Sequence, residues 1–461
     1  MISALAARIG AWQKVSVHRR VFSAAAVVAV FTFASKVAGA AREVVVAHQF
    51  GTSSDVDAFL LAFLMPGLAI TVLGATLNSA LIPTYVEVRE REGHEAAQEL
   101  LSTTLVVSLV LLSITACAMT ALVPYAAPLF SGKATPERLE LTKRLAYILT
   151  PSLVVTGTTM TWTAVLNAHQ RFAPAAAATL VVPLVAIAAL FAFGRAAGIR
   201  ALAWGTLVGF LVEAAIVGWT LRREGVSLVP RWHGLTPAVR RVIGQYLPMV
   251  AGMVAMGTNG PIDQIMAARL GPGSVAALGY GTKIEAFVVG VGVTSIGAAV
   301  LPHFSRLAAT EDWLALRSTI RRYATVLVLL ALPVAIGLIV LSEPIVRVLF
   351  QRGAFTPEDT RLVARIQSFL LLALPVKFAG LLFIRFIMAV KANVVLMWTS
   401  ILNALVNVAG NYVLSRHLGV AGIALSTTVV VVVSVSISMT FTFRRLHHLC
   451  AAGPVAKPAA V

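Results

Sequence analysis

The chain has 461 residues and a formal net charge of +18, and it is 58% hydrophobic but only 12% charged. Soluble domains carry about 25% charged residues, so this composition, with a mean hydropathy of +0.87, excludes a water-soluble globular fold. It also argues against nucleic acid as a partner, because the Arg and Lys residues lie in short caps between apolar runs and not in an aromatic-interleaved basic patch.

In chain order, residues 1–20 place Ile2, Leu5, Ile9 and Trp12 at helical spacing, which predicts a cytoplasmic amphipathic segment. No cleavable signal pattern follows, since the first apolar run is too long and leads into Arg42-Glu43. Twelve runs reach the roughly 20 residues that span a bilayer: about 22–46, 57–86, 101–130, 143–168, 174–194, 200–221, 240–268, 275–303, 322–349, 362–389, 393–415 and 420–442. The excess of Lys and Arg, strongest at Arg19, Arg20, Arg222, Arg223, Arg240, Arg241, Arg317, Arg321, Arg322, Arg444 and Arg445, places both termini in the cytoplasm. Cys117 and Cys450 fall on different expected surfaces, so neither a disulfide nor a metal site is expected.

An internal repeat divides the chain. Leu129-Phe130-Ser131-Gly132 through Thr135-Pro136-Glu137 returns as Leu349-Phe350 through Thr356-Pro357-Glu358, Ala80 to Pro83 returns as Ala299 to Pro302, and Ala197-Gly198-Ile199 returns as Leu418-Gly419-Val420. The expected fold is an all-α integral membrane protein with two six-helix lobes related by a pseudo-two-fold axis along the membrane normal. The expected boundaries are 21–222 and 240–443 for the lobes, 223–239 for a cytoplasmic linker and 444–461 for a cytoplasmic tail. A cavity between lobes and alternating access follow from that arrangement. Gly39, Pro66, Gly67 and Gly74 in the first two spans, and Gly279, Gly281, Gly290, Gly292 and Gly297 in the eighth, are candidate bending points, or simply close-packing positions.

Four cations, Lys36, Lys283, Lys377 and Arg385, sit inside apolar runs. A charge at the centre of a span costs about 2.5–3.5 kcal/mol on insertion scales, so such residues are functional candidates, and their shared sign points to an anionic cargo. Arg42 lies six positions beyond Lys36, past Gly39, and Asp57 opens the second span either as a helix N-terminal anion or as the partner of Arg42. Glu285 faces away from Lys283, which leaves Lys283 for a ligand phosphate. Lys377 either pairs with Asp263, the one obvious deep carboxylate of its lobe, for structure or ion coupling, or joins Lys36, Arg42, Lys283 and Arg385 in binding the anionic substrate, with Asp57 and Glu285 balancing charge. No spacing matches a catalytic or zinc motif, so no enzyme activity and no cofactor are expected beyond coupling to an ion or the membrane potential.

Ser35-Lys36 through Gly39, Arg42-Glu43 and Gly51, then Asp57-Ala58-Phe59 before Pro66, resemble the opening of the MurJ (MviN) lipid II flippase family. Asp263 through Gly271-Pro272-Gly273-Ser274, Leu278 to Lys283, and Phe350-Gln351-Arg352-Gly353-Ala354-Phe355-Thr356 extend the likeness across essentially all twelve spans. The resemblance implies membership of the multidrug/oligosaccharidyl-lipid/polysaccharide superfamily. It further implies transfer of an undecaprenyl-pyrophosphate-linked peptidoglycan precursor to the outer leaflet of the bacterial inner membrane, with membrane lipids and cell-wall synthesis proteins as partners. Lys36 and Lys283 then fall where the family has cavity arginines, which retains charge but loses the bidentate fork, and Arg42 and Asp57 fall on a charged pair near the portal. Two departures also admit a related polyprenyl-linked glycan. The family's basic cluster and following acidic residue in the second span are replaced by apolar Leu64 to Thr71 and by Gly74, and the chain stops after span twelve, where characterised members carry two more spans. The alternatives are a cation-coupled small-molecule exporter of the same superfamily, which would favour acidic cavity residues, and a non-transporting membrane scaffold.

Overall fold

The computed structural model describes residues 27–132, 135–257 and 259–451, so the expected amphipathic segment at 1–20 lies outside them. Nearly all of these residues are helical and none forms a strand. Helix α1 covers 27–50, and α2 (Ser54–Ala69) passes through a π-helical turn (Ile70–Ala75) into α3 (Thr76–Arg91). There follow α4 (His94–Ser131), α5 (Pro136–Leu149), α6 (Ser152–Ala168), α7 (Phe172–Ala178), α8 (Val181–Ala197) and α9 (Ile199–Arg223). After an extended link come α10 (Pro237–Met256), α11 (Asn259–Ala268), α12 (Ser274–Ala309), α13 (Trp313–Val340) and α14 (Ser342–Phe350). The chain continues through α15 (Pro357–Leu371), α16 (Leu374–Ala389), α17 (Asn393–Leu418) and α18 (Val420–Ala451).

Nine helical stretches among the described residues are long and apolar enough to cross a membrane. The other three expected spans are helical too, but differ in continuity. The first is described only from residue 27 onward, the fourth is broken between α5 and α6 at Thr150-Pro151, and the seventh is broken between α10 and α11. Proline supplies no backbone N–H and disfavours helix in the residue before it, which accounts for the break at Pro151.

Packing divides the chain into two compact units. The first takes the residues up to Val46, Ala62–Ala127 and Glu140–Ala251; the second takes Ala47–Leu61, Pro128–Leu139 and the residues from Gly252 onward. This division departs from the linear lobe boundaries. In the first unit the start of α10 joins the core, where Val239, Val242 and Tyr246 pack with Leu77, Leu81, Leu101 and Leu221. The stretch expected as a linker is pinned there too: Ser227 and Val229 receive hydrogen bonds from Gln98 and Ser102, His233 N–H donates to Thr103, and Val226 is buried. In the second unit Phe304, Leu316, Leu382, Phe386 and Leu446 form a core of α12, α13, α16 and α18.

The repeat is visible in how the turns are built. Gly132 and Gly353 both have φ +58°, Gln170 and Lys391 have φ +59° and +57°, and Gly198 and Gly419 have φ +57° and +60°. Each pair is 221 positions apart. Glycine adopts these left-handed angles without Cβ strain, so the same residue recurs where the same turn must be made. Gly198→Ala would put its Cβ in open space and is expected to cost about 1–3 kcal/mol through backbone strain alone. Gly353→Ala would also drive a Cβ into the carbonyl of His48, so thermal unfolding in detergent should rank wild type above Gly198→Ala and Gly198→Ala above Gly353→Ala.

Candidate functional site

The sharp turn between α1 and α2 brings Asp57 to the start of α12, both within the second unit. Asp57 is 8% exposed, and its two carboxylate oxygens accept from Gly273 N–H at 2.6 Å and Ala276 N–H at 2.7 Å. The first turn of a helix leaves its N–H groups without internal partners and carries partial positive charge, so a carboxylate supplied from another helix satisfies both. Gly273 is required for this approach: it has φ +79°, and a Cβ there would overlap the carbonyl of Thr52. Thr52 Oγ1 in turn donates to Asp359, which closes a reciprocal capping box with Thr356 at the start of α15. Ala354 N–H donates to the His48 carbonyl at 2.9 Å, and the rings of Tyr280, Phe350 and Phe355 pack at 5.2–5.8 Å. One short turn is thereby tied to the beginnings of two helices.

These contacts correct the expected Arg42–Asp57 pair. Asp57 spends its oxygens on backbone donors, and Arg42 Nη2 pairs with its neighbour Glu43 at 2.6 Å. The expected Lys377–Asp263 pair is also replaced. Lys377 Nζ on α16 lies 2.5 Å from Glu285 Oε1 on α12, with the side chains 21% and 11% exposed. Glu285, which faces away from Lys283 on α12, is therefore the counter-ion of a different helix. Lys283 itself is exposed, Arg385 is half-buried on α16, and Lys36 is exposed on α1 with no hydrogen bond or ion pair among the described residues.

Asp263 on α11 instead accepts from Asn407 Nδ2 at 2.9 Å, Asn411 Nδ2 at 2.7 Å and Thr427 Oγ1 at 3.2 Å. Asn407 and Asn411 are fully buried. Sequence reasoning passed over this polar group, although Asn403, Asn407 and Asn411 recur every fourth residue in an apolar span and so occupy one face of α17. It also passed over Thr52 and Asp359, whose partnership links distant segments, and Glu213 in the middle of α9. Among the candidate bending points, Gly281 and Gly292 are packing positions whose absent Cβ leaves room for Ile366 and the Phe378 ring. Gly39 has no such neighbour within 4 Å, and α1 is helical on both sides of it. Pro66 lies inside α2, shortly before the π-helical turn that contains Gly74.

Both the sequence and the fold are matched by known proteins. Residues 46–455 match the family described as "Lipid II flippase MurJ". The chain belongs to this family. It is 31% identical over 355 residues to the probable lipid II flippase MurJ of Rhizobium tropici, covering 75% of this chain and 66% of that protein. It is 30% identical over 361 residues to the lipid II flippase MurJ of Burkholderia cenocepacia, covering 75% and 68%. The chain thus aligns with about two thirds of the length of these relatives. In fold it is similar to a lipid II flippase MurJ in an inward closed conformation, with a TM-score of 0.76, 20% identity and 93% of each chain covered. An inward-facing multidrug resistance MATE family transporter of the MOP superfamily matches with a TM-score of 0.74 and 15% identity over 91% of this chain and 96% of that one. These likenesses show the fold, an all-helical one shared with both structures, and MurJ membership favours the flippase reading over the drug exporter.

Two stability outcomes follow from this geometry. Lys377→Met strands Glu285 and should cost about 3–5 kcal/mol, whereas Lys377→Met combined with Glu285→Leu should recover most of the loss, which a double-mutant cycle of thermal unfolding measures. Asp57→Ala leaves two buried N–H groups without an acceptor and should cost at least about 2 kcal/mol in the same assay.

Proposed function

We propose that this MurJ family member moves a polyprenyl-pyrophosphate-linked glycan, lipid II, from the cytoplasmic to the outer leaflet of the bacterial inner membrane by alternating access. The observation that carries this reading is an intramembrane cation left over after internal pairing: Lys36 has no carboxylate among the described residues, whereas Arg42 and Lys377 each have one. A lone ammonium in a span is held there at a cost, and a pyrophosphate offers the compensating charge. Lys36 is therefore the primary phosphate-attracting group, with Lys283 on α12 and Arg385 on α16 as further candidate cations. Arg42 and Lys377 contribute less, because Glu43 and Glu285 already offset them.

Asp263 supports coupling to a monovalent cation or a proton, since a buried carboxylate ringed by amide and hydroxyl groups can exchange either without dismantling a salt bridge. The basic caps favour an orientation with both termini in the cytoplasm. On this reading the proteins that act before and after it are the cell-wall enzymes that make and consume the lipid-linked precursor.

Expression in a bacterium whose own lipid II flippase is depleted tests the proposal. The wild-type chain should restore outer-leaflet lipid II and survival, and Lys36→Ala or Lys283→Ala should abolish rescue at equal membrane abundance. Full rescue by both variants would remove the lysines from the mechanism.

A further inference from the structure

Glu213 is an ionisable residue of the first unit for which neither the pairing scheme nor the lipid-linked cargo provides a use. It lies 14 residues after Ile199 and 10 before Arg223 in α9, roughly 21 Å and 15 Å from the helix ends. At about 100° per residue it stands opposite the exposed stripe of Trp204, Leu211 and Ala215, so its side chain turns inward from lipid. It has no hydrogen bond or ion pair among the described residues. The elements packed on α9 bring no counter-charge to this level. Helices α6 and α7 and residues 62–75 contain no ionisable side chain, α8 contains only Arg195 in its exposed last turn, and Arg200, Arg222 and Arg223 lie near the ends of α9 itself. Helices α3, α4 and α10, which pack on α9 at Val217 and Leu221, carry their charges at 87–91, 94–99 and 240–241, at the helix ends.

The neighbours at this depth are polar in a specific way. The rings of Phe210 and Phe63 stack at 6.5 Å, one turn before Glu213, and Trp162 packs on Gly218, one turn and a half after it. Phe63 also packs in the cluster that contains Leu153 near the start of α6. Helices α6 and α9 therefore meet near Leu153 and Phe210 and again at Trp162 and Gly218, which makes them run in one direction with Gly157 near the level of Glu213. Thr156, beside Gly157, is 8% exposed, and its Oγ1 is buried with no hydrogen-bond partner. On α6 it lies between Leu153 and Met160, which pack against Ile70 and Leu73 of the π-helical turn, and Gly74 there makes room for the Met160 sulfur. A small cavity of about 30 Å³, enough for about two waters, reaches Gly74 and Gly157 and is lined in addition by Thr104, whose hydroxyl is also buried without a partner, and by Tyr246. The Tyr246 hydroxyl donates to the Leu73 carbonyl, a backbone group within the π-helical turn.

We propose that Glu213, Thr156 and the π-helical turn of α2 form an intramembrane proton-binding site in the first unit. A carboxylate at mid-span with no cation nearby is costly, whereas the neutral carboxylic acid is not, and its O–H or C=O finds a partner in the Thr156 hydroxyl. The site binds one proton, delivered as hydronium through the cavity and leaving water behind. Helix irregularities of the π type cluster at functional positions because a small change in backbone pairing re-aims the side chains around them. A rearrangement of α2 at this turn would open or close Glu213 to the cavity, which makes proton exchange conditional on conformation. This site is separate from Asp263, which belongs to the second unit.

Infrared difference spectroscopy during a pH titration of the purified protein in dodecyl maltoside tests the assignment, with Glu213→Gln, Thr156→Val and an Asp263→Asn background that removes the second-unit carboxyl held neither by backbone N–H groups, as Asp57 is, nor by a lysine, as Glu285 is. The Asp263→Asn protein should retain a protonated-carboxyl C=O stretch at neutral pH. Glu213→Gln should abolish it, and Thr156→Val should shift it to higher frequency by removing a hydrogen bond. A neutral-pH band that survives Glu213→Gln, or no such band in the Asp263→Asn parent, would overturn the site. If Glu213→Gln does not fold, an unshifted band in Thr156→Val overturns it instead. Neither substrate nor gradient is present in this measurement, so its failure leaves the lipid II reading intact, and failed rescue by the wild-type chain leaves the proton site intact.

Discussion

The cost of an uncompensated charge in a low-dielectric span orders this structure. Each ionisable side chain placed there must be paired, capped by oriented dipoles, neutralised or used. Asp57 meets the N–H groups at the start of α12, Glu285 meets Lys377, and Asp263 meets two amides and a hydroxyl. Once those are satisfied, the residues that stand out are Lys36 and Glu213, one of each sign and both in the first unit. The same physical rule that stabilises the helix bundle thus separates structural charges from the ones available for work.

Asp57 shows how a single carboxylate does this at small cost in material. It sits in the first turn of its own helix, where an acid is favoured, and simultaneously caps a second helix distant in sequence. The arrangement depends on glycines that tolerate positive φ and close backbone approach at 51, 273 and 353. Removing the cap would expose α12, and with it Glu285, to a change in position, so the structural charge and the paired one are mechanically linked through one helix.

The repeat was legible because it is written in turn chemistry. Gly132, Gly198 and their counterparts Gly353 and Gly419 hold left-handed angles that few other residues adopt, so these positions resist drift while the apolar surfaces between them vary. The pair Gln170 and Lys391 was invisible, since neither residue advertises a positive φ. Likewise Pro66 announced a disturbance in α2, but nothing in the composition of Ile70–Ala75 distinguishes a π-helical turn from an ordinary one. The packing boundary was equally hidden: the start of α10 reads as the opening of a second lobe, yet its Val239, Val242 and Tyr246 are buried in the core of the first unit.

The amino-acid sequence by itself determined that the chain is a membrane-embedded helical repeat of the MurJ type, because hydropathy, turn glycines and ordered local motifs are properties of contiguous residues. It also singled out the intramembrane cations one by one. Only the tertiary structure decided which of them keep their charge available. Pairing energy falls off over a few ångströms, and Lys377 with Glu285, Asp57 with Gly273 and Asp263 with Asn407 are separated by 92, 216 and 144 positions along the chain. A carboxylate two residues from one lysine can belong to another on a different helix, and no local pattern records that choice.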